Sequence, residues 1–95
     1  MHITLMGRRW RVIENSTELP RNWDGSCDPP KKKNKTIHIR GKLSEERYLE
    51  VLLHEMMHAI DEHRDEAAIT EAARDMARAL IRCGFRRGSK STAKP

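Results

Sequence analysis

The sequence predicts an α+β fold in which a small antiparallel sheet is followed by two packed antiparallel helices. Three observations carry that prediction. β-leaning residues cluster between Ile3 and Ile13, a short polar/apolar alternation runs from Thr36 to Arg40, and apolar residues then recur at spacings of three and four from Leu49 to Ile81. Strand periodicity thus comes first and helix periodicity second, the order expected when helices gather on one side of a sheet.

Taken in order, Ile3-Thr4-Leu5 and Trp10-Arg11-Val12-Ile13 predict one strand or a tight hairpin turning at Gly7 and Arg8. From Glu14 to Lys35 the chain carries Pro20, Asp24-Gly25, Pro29-Pro30 and a lysine run without periodic pattern, and a long surface loop is expected. Thr36-Ile37-His38-Ile39-Arg40 is a strand stopped at Gly41, with Ile37 and Ile39 facing inward and His38 outward. Ser44 is a good N-cap, and Glu45 and Glu46 suit the first turn of a helix because they oppose its dipole. Leu49, Leu52, Leu53, Met56, Met57 and Ile60 give that helix one broad buried side as far as Asp61 or Glu62. After the turn Glu62-His63-Arg64, Asp65 caps a second helix with apolar positions Ile69, Ala72, Ala73, Met76, Leu80 and Ile81, ended by Gly84. Its many alanines allow a close approach to the first helix. Residues 1–86 form a single domain, and the basic segment 87–95 is expected to be a disordered tail.

A chain of 95 residues with 37% apolar and 35% charged residues has a thin core, so a metal tying two elements together would add stability as well as chemistry. The 19 Lys and Arg outnumber the 14 Asp and Glu, giving +5, and the excess gathers at Lys31, Lys32, Lys33, Lys35 and beyond Phe85. Such runs are solvated loop and terminus first, and a patch for nucleic acid second. Cys27 and Cys83 lie far apart with no Cys-x-x-Cys pair, so neither a ribbon-type zinc site nor a disulfide framework is indicated, and two reduced thiols are expected. No apolar run has the length of a signal peptide or a membrane span, so a soluble, cytoplasmic protein is expected.

The chemistry lies in His54-Glu55-Met56-Met57-His58, on the first predicted helix. Residues four apart stand about 40° apart around a helix, so both imidazoles reach one cation from the same face. Glu55 is turned by about 100° from His54 and lies beside the metal, placed to take a proton from a zinc-activated water as general base. A catalytic zinc site needs a third protein ligand, with the fourth position left for water. The candidates are Asp61, Glu62, His63, Glu66 and Glu71. Asp61 and Glu62 share the face if the helix continues, His63 falls on the opposite face, and levelling two antiparallel helices about a turn near residue 64 favours Glu71 over Glu66. Tyr48, His38, His63 and the nearby arginines are candidates to stabilise an oxyanion, and Cys27 is either a loop thiol or an inhibitory fourth ligand.

The motif and its flanks resemble a known family. Trp23-Asp24-Gly25-Ser26-Cys27-Asp28-Pro29-Pro30, Lys35 to Arg40, Leu49 to Ala59, Asp65 to Ile69 and Ala73 to Ala77 look like the small zincin-like metallopeptidases common in phage and bacterial genomes, over nearly the whole chain to about Arg86. In that family the second helix opens with Asp or Ser, then Glu, then two variable residues and Ile or Val. The resemblance therefore implies Glu66 as the third ligand, with Asp65 and Ile69 around it. A Glu from the following helix is similar to gluzincins and to metallopeptidases that cleave repressors, although the spacing after His58 is shorter here.

The expectation is a monomeric zinc metallohydrolase of minimal zincin-like fold, a peptidase acting on a peptide or protein substrate. His54, His58 and Glu66 would hold Zn2+, Glu55 would be catalytic, and the strand Thr36–Arg40 would hold an extended substrate if it edges the cleft. The alternative is a non-catalytic, zinc-stabilised binding module for nucleic acid or a protein partner.

Overall fold

The structure, a computed structural model, describes residues 1–88. It begins with the strands β1 (His2–Leu5) and β2 (Arg8–Ser16), paired antiparallel. Met6 and Gly7 join them with φ values of 52° and 76°. Positive φ at both turn residues is the geometry whose twist matches that of a two-residue hairpin. Next come β3 (Gly25–Cys27) and β4 (Thr36–Arg40), and the sheet order is β1-β2-β4-β3.

The α+β class agrees with the sequence, but the sheet is mixed. β2 and β4 run parallel, where the sequence predicts only antiparallel pairs, while β3 pairs antiparallel with β4. Parallel neighbours need a long crossover, and residues 17–35 supply it, laying down β3 on the way. The expected long surface loop is therefore interrupted by a strand that shows no periodicity because it is only three residues long. β4, flanked on both sides, is internal; β1 and β3 are the edge strands.

Trp10, Val12, Ile37 and Ile39 are buried and form the core with Tyr48, Val51 and Ala59 of α1 (Glu45–Ile60). Ile37 and Ile39 face inward as expected, and His38, on the other face, bonds the Ser16 hydroxyl at 2.8 Å through Nδ1. The Ser44 side chain accepts the Arg47 backbone N–H at the start of α1. Asp65 does the same for Ala68 at the start of α2 (Glu66–Arg82). Gly84 follows α2 with a φ of +97° that favours glycine.

The buried side of α1 differs from the predicted one. Its fully buried stripe is Tyr48, Val51, Glu55 and Ala59, whereas Leu49, Leu52, Leu53, Met56 and Met57 are only half-buried and Ile60 is exposed. The reason is that α1 packs on the sheet along one side and on α2 along another, so its apolar residues are divided between two partial interfaces. In α2 the residues shielded from solvent are Ile69, Ala73 and Ala77, and small side chains at these positions bring the helices close.

The start of α1 meets the end of α2, as an antiparallel pair requires. The Arg87 backbone N–H donates to Glu45, and the Arg87 guanidinium lies 4.0 Å from the Tyr48 ring centroid. Arg87, assigned to the tail from sequence, thus packs on the domain; the expected disorder beyond Gly88 lies outside the described residues. Among those residues, no helix is long and apolar enough to cross a membrane.

Ile37 is fully buried between sheet and helix, so Ile37→Ala is expected to cost about 2–5 kcal/mol through lost burial and an unfilled cavity. The measurement is a lower midpoint in urea unfolding with an unchanged m-value.

Candidate metal centre

The central strip of α1 carries two sets of side chains on neighbouring faces. Glu55 follows Val51 by four and precedes Ala59 by four, which puts it on the stripe turned toward the sheet. His54 and His58, about 100° round the helix, turn toward the start of α2. Their Nε2 atoms are 3.2 Å apart, and the Glu66 carboxylate spans both, with Oε2 3.0 Å from His54 and Oε1 2.8 Å from His58.

These three residues offer donor atoms that all lie within 4.8 Å of one another. Two nitrogens bound tetrahedrally to zinc at about 2.0–2.1 Å would stand roughly 3.3–3.4 Å apart, close to the separation of the two imidazoles. Two neutral imidazoles and one carboxylate also form the donor set of a site that keeps a position open. Burial lowers the pKa of His54, against the opposing pull of the Glu66 charge, and so favours the neutral ring that a metal requires. The residues present therefore fit a zinc ion.

Of the five candidates for a third ligand, Glu66 is the one that joins the histidines. Glu71 is exposed and further along α2, away from the cleft. Levelling compares backbone heights only, whereas Glu66, at the very start of α2, meets both imidazoles through its side chain. α1 ends at Ile60, two residues after His58, and the extended Asp61 starts the connection, so the first turn of α2 is already level with the motif. Asp61 accepts the His63 backbone N–H and His63 points into solvent, while Glu62 reaches the cleft wall.

The cleft has a volume of about 560 Å³. One wall is α1 with Arg47, Val51, His54, Glu55 and His58; the facing wall is β3 with the residues around it, Trp23 to Pro29. Helix and strand touch at Gly25. A Cβ there would stand 2.6 Å from Val51 Cγ1 and 3.1 Å from Glu55 Oε2, so the strand can come this close only because residue 25 has no side chain.

That approach buries the Glu55 carboxyl, which makes none of the side-chain hydrogen bonds or ion pairs found among the described residues. Desolvation first and the Glu66 charge second push its pKa up to about 7. Cys27, on the same strand, is pushed up to about 12 by burial and then by Glu55, Asp28 and Glu62. Its thiol donates to the Asp28 carbonyl and is not among the clustered donor atoms, so the geometry gives no support to an inhibitory thiolate.

Among the oxyanion candidates, only Arg47 lines the cleft, and it is paired with Asp24 at 2.9 Å and Glu50 at 3.0 Å. Tyr48 is bonded to Glu14 on another side of α1, and His38 sits behind the sheet with Ser16. Two positioning residues were not visible in sequence. Gly25 looks like an ordinary Asp-Gly turn signal, and Arg40 looks like the polar end of a strand. Arg40 in fact donates to the carbonyls of Pro20, Arg21 and Trp23, and so holds the cleft-lining loop against the sheet.

Comparison with family models, curated proteins and solved structures found no match.

Two outcomes are expected from this geometry. Gly25→Ala must displace Val51 and Glu55, costing about 1–3 kcal/mol of stability in urea unfolding. In protein kept free of divalent metal by a chelator, the raised pKa of Glu55 means that the folded chain holds a proton which the unfolded chain releases above pH 4.5. Its contribution to stability is present below pH 4.5 and is lost as the pH rises through about 7. His54, being lowered, acts with the opposite sign, so the check is the difference between wild type and Glu55→Gln: wild type should lose stability relative to the variant across that window.

Proposed function

We propose that the chain is a zinc-dependent hydrolase that cleaves peptide bonds, with zinc held by His54, His58 and Glu66 and with Glu55 as general base. The observation that carries this reading is the convergence of two imidazole nitrogens and a carboxylate beside a buried, unpaired glutamate in an open cleft. A purely structural zinc site has no use for that glutamate, which gains no bond from its burial.

Zinc bound there would make a water more acidic and polarise the carbonyl of the scissile bond. The chain's own residues would do the rest. Glu55, with a pKa near neutrality, is poised to accept a proton from the attacking water and return it to the leaving amine. Its position is held by Gly25 and Val51, which leave the carboxylate little freedom. Glu66 couples the two helices, so the site is complete only when α2 is docked.

β4 is an internal strand and has no free edge to offer a substrate. β3 takes that role in this proposal: Gly25, Ser26 and Cys27 all line the cleft, and an extended peptide would lie along the unpaired edge of the strand. Cys27 and Cys83 are both free, which suits action in a reducing compartment such as the cytoplasm.

Purified Glu55→Gln is expected to keep its zinc and lose about 10²-fold or more of its peptidase activity, because an amide cannot take the proton. His54→Ala and His58→Ala should lose zinc in metal analysis, and Glu66→Gln should bind it more weakly. Full activity of Glu55→Gln, or full zinc occupancy in both histidine variants, would overturn the proposal.

A further inference from the structure

The hairpin carries a concentration of positive charge that the cleft does not use. His2 lies across from Arg11 and Thr4 across from Arg9, so these side chains share the face of the sheet opposite Trp10 and Val12. Together with Arg8, which alternation puts on the Trp10 side of β2, and with Asn34 and Lys35, His2, Arg9 and Arg11 line an open groove of about 700 Å³ that has no lining residue in common with the metal centre. Arg8, Arg9 and Arg11 are exposed and Lys35 is half-buried. None of these four forms an ion pair among the described residues, where Asp24, Asp28 and Glu50 are paired with Arg40, Arg47 and Lys32 instead. The exposed Lys31, Lys32 and Lys33 follow the same loop. The pKa of His2 is lowered first by Arg9 and then by desolvation, with the N-terminal amine and Arg11 adding to it.

From this placement we propose that the β1–β2 face binds the phosphate backbone of duplex nucleic acid without reading its sequence. Like charges held this close repel one another, and a polyanion relieves that repulsion while releasing its own counterions. Guanidinium groups form paired hydrogen bonds with phosphate oxygens. Arg9 and Arg11 are two residues apart on one strand face, roughly 7 Å at the usual strand rise, so they can engage separate phosphates. The groove has no aromatic lining, Trp10 being buried beneath the strand, so it lacks the stacking platform on which single-stranded bases are held. The lining is dominated by arginine and lysine, the side chains that contact phosphate oxygens most often, and contact with the backbone is therefore the proposed mode of binding.

The test is fluorescence anisotropy of a labelled duplex of about 20 base pairs with the full chain, from about 50 to 200 mM salt. Contacts from Arg8, Arg9, Arg11 and Lys35 predict a slope of log K against log salt near −3.6, at roughly −0.9 per phosphate. Arg9→Gln with Arg11→Gln should bind about tenfold or more weakly at the lowest salt, with a slope shallower by about 1.8 and an unchanged circular dichroism spectrum. A duplex of scrambled sequence should bind equally well. As a control, Lys90→Gln with Lys94→Gln should leave binding within about twofold of wild type. The proposal is overturned if the arginine pair can be replaced without loss, if binding depends on Lys90 and Lys94 instead, or if phosphatidylserine vesicles retain the chain while the duplex does not.

Discussion

Helix α1 rests on the sheet along Tyr48, Val51, Glu55 and Ala59, and one member of that stripe is a carboxylic acid. A carboxyl so placed is costly to ionise, because close packing removes most of its solvent while leaving it at the wall of the cleft. The contact that does so is between α1 and β3 at Gly25, where the strand has no side chain to hold the helix away. From this approach follow the depth of Glu55, its raised pKa and its place at the wall of the cleft between helix and strand. It also sets the heading of the histidines: with Glu55 turned to the sheet, the next face of the helix carries His54 and His58 toward α2.

The second helix completes what the first begins. Glu66 is its first residue, and both carboxylate oxygens meet the two imidazoles, so the charge that would balance a cation comes from a different element. Thr70, one turn on, reaches the same carboxylate at 3.4 Å. In a chain this small, a cation shared by α1 and α2 would hold the helices together as well as serve chemistry, since binding that favours the folded state is folding free energy. The same carboxylate adds to the rise in the pKa of Glu55, so the charge that suits a metal also favours a protonated acid beside it.

Charge is distributed unevenly over the rest of the surface. Acidic side chains gather around the cleft at Asp24, Asp28, Glu62 and Glu66, whereas the hairpin and the lysine loop present positive charge with few partners. The two regions share no lining residue, so a polyanion on one need not obstruct a substrate in the other. The mixed sheet makes this possible. Its parallel pair places the hairpin toward one edge and β3 at the other, so the basic groove and the cleft lie at opposite ends of the strand order.

Local patterns alone determined the helix caps at Ser44 and Asp65, the inward Ile37 and Ile39, the helical spacing of the His-Glu-x-x-His motif and the closeness allowed by Ala73 and Ala77, because each depends on residues within a turn or two of one another. The geometry of the histidine pair belongs with them, since a helix repeats itself. Strand direction, the presence of β3, the burial of Glu55 and the place of Glu66 over Glu71 were decided by tertiary structure. A three-residue strand has no period to detect, and the apolar pattern of a helix marks which residues avoid water without saying which neighbour covers each side. Where residues 17–35 return the chain, and where α1 stops relative to His58, depends on contacts between residues far apart in sequence. Those contacts turned an ordinary Asp-Gly signal into the point on which the cleft closes.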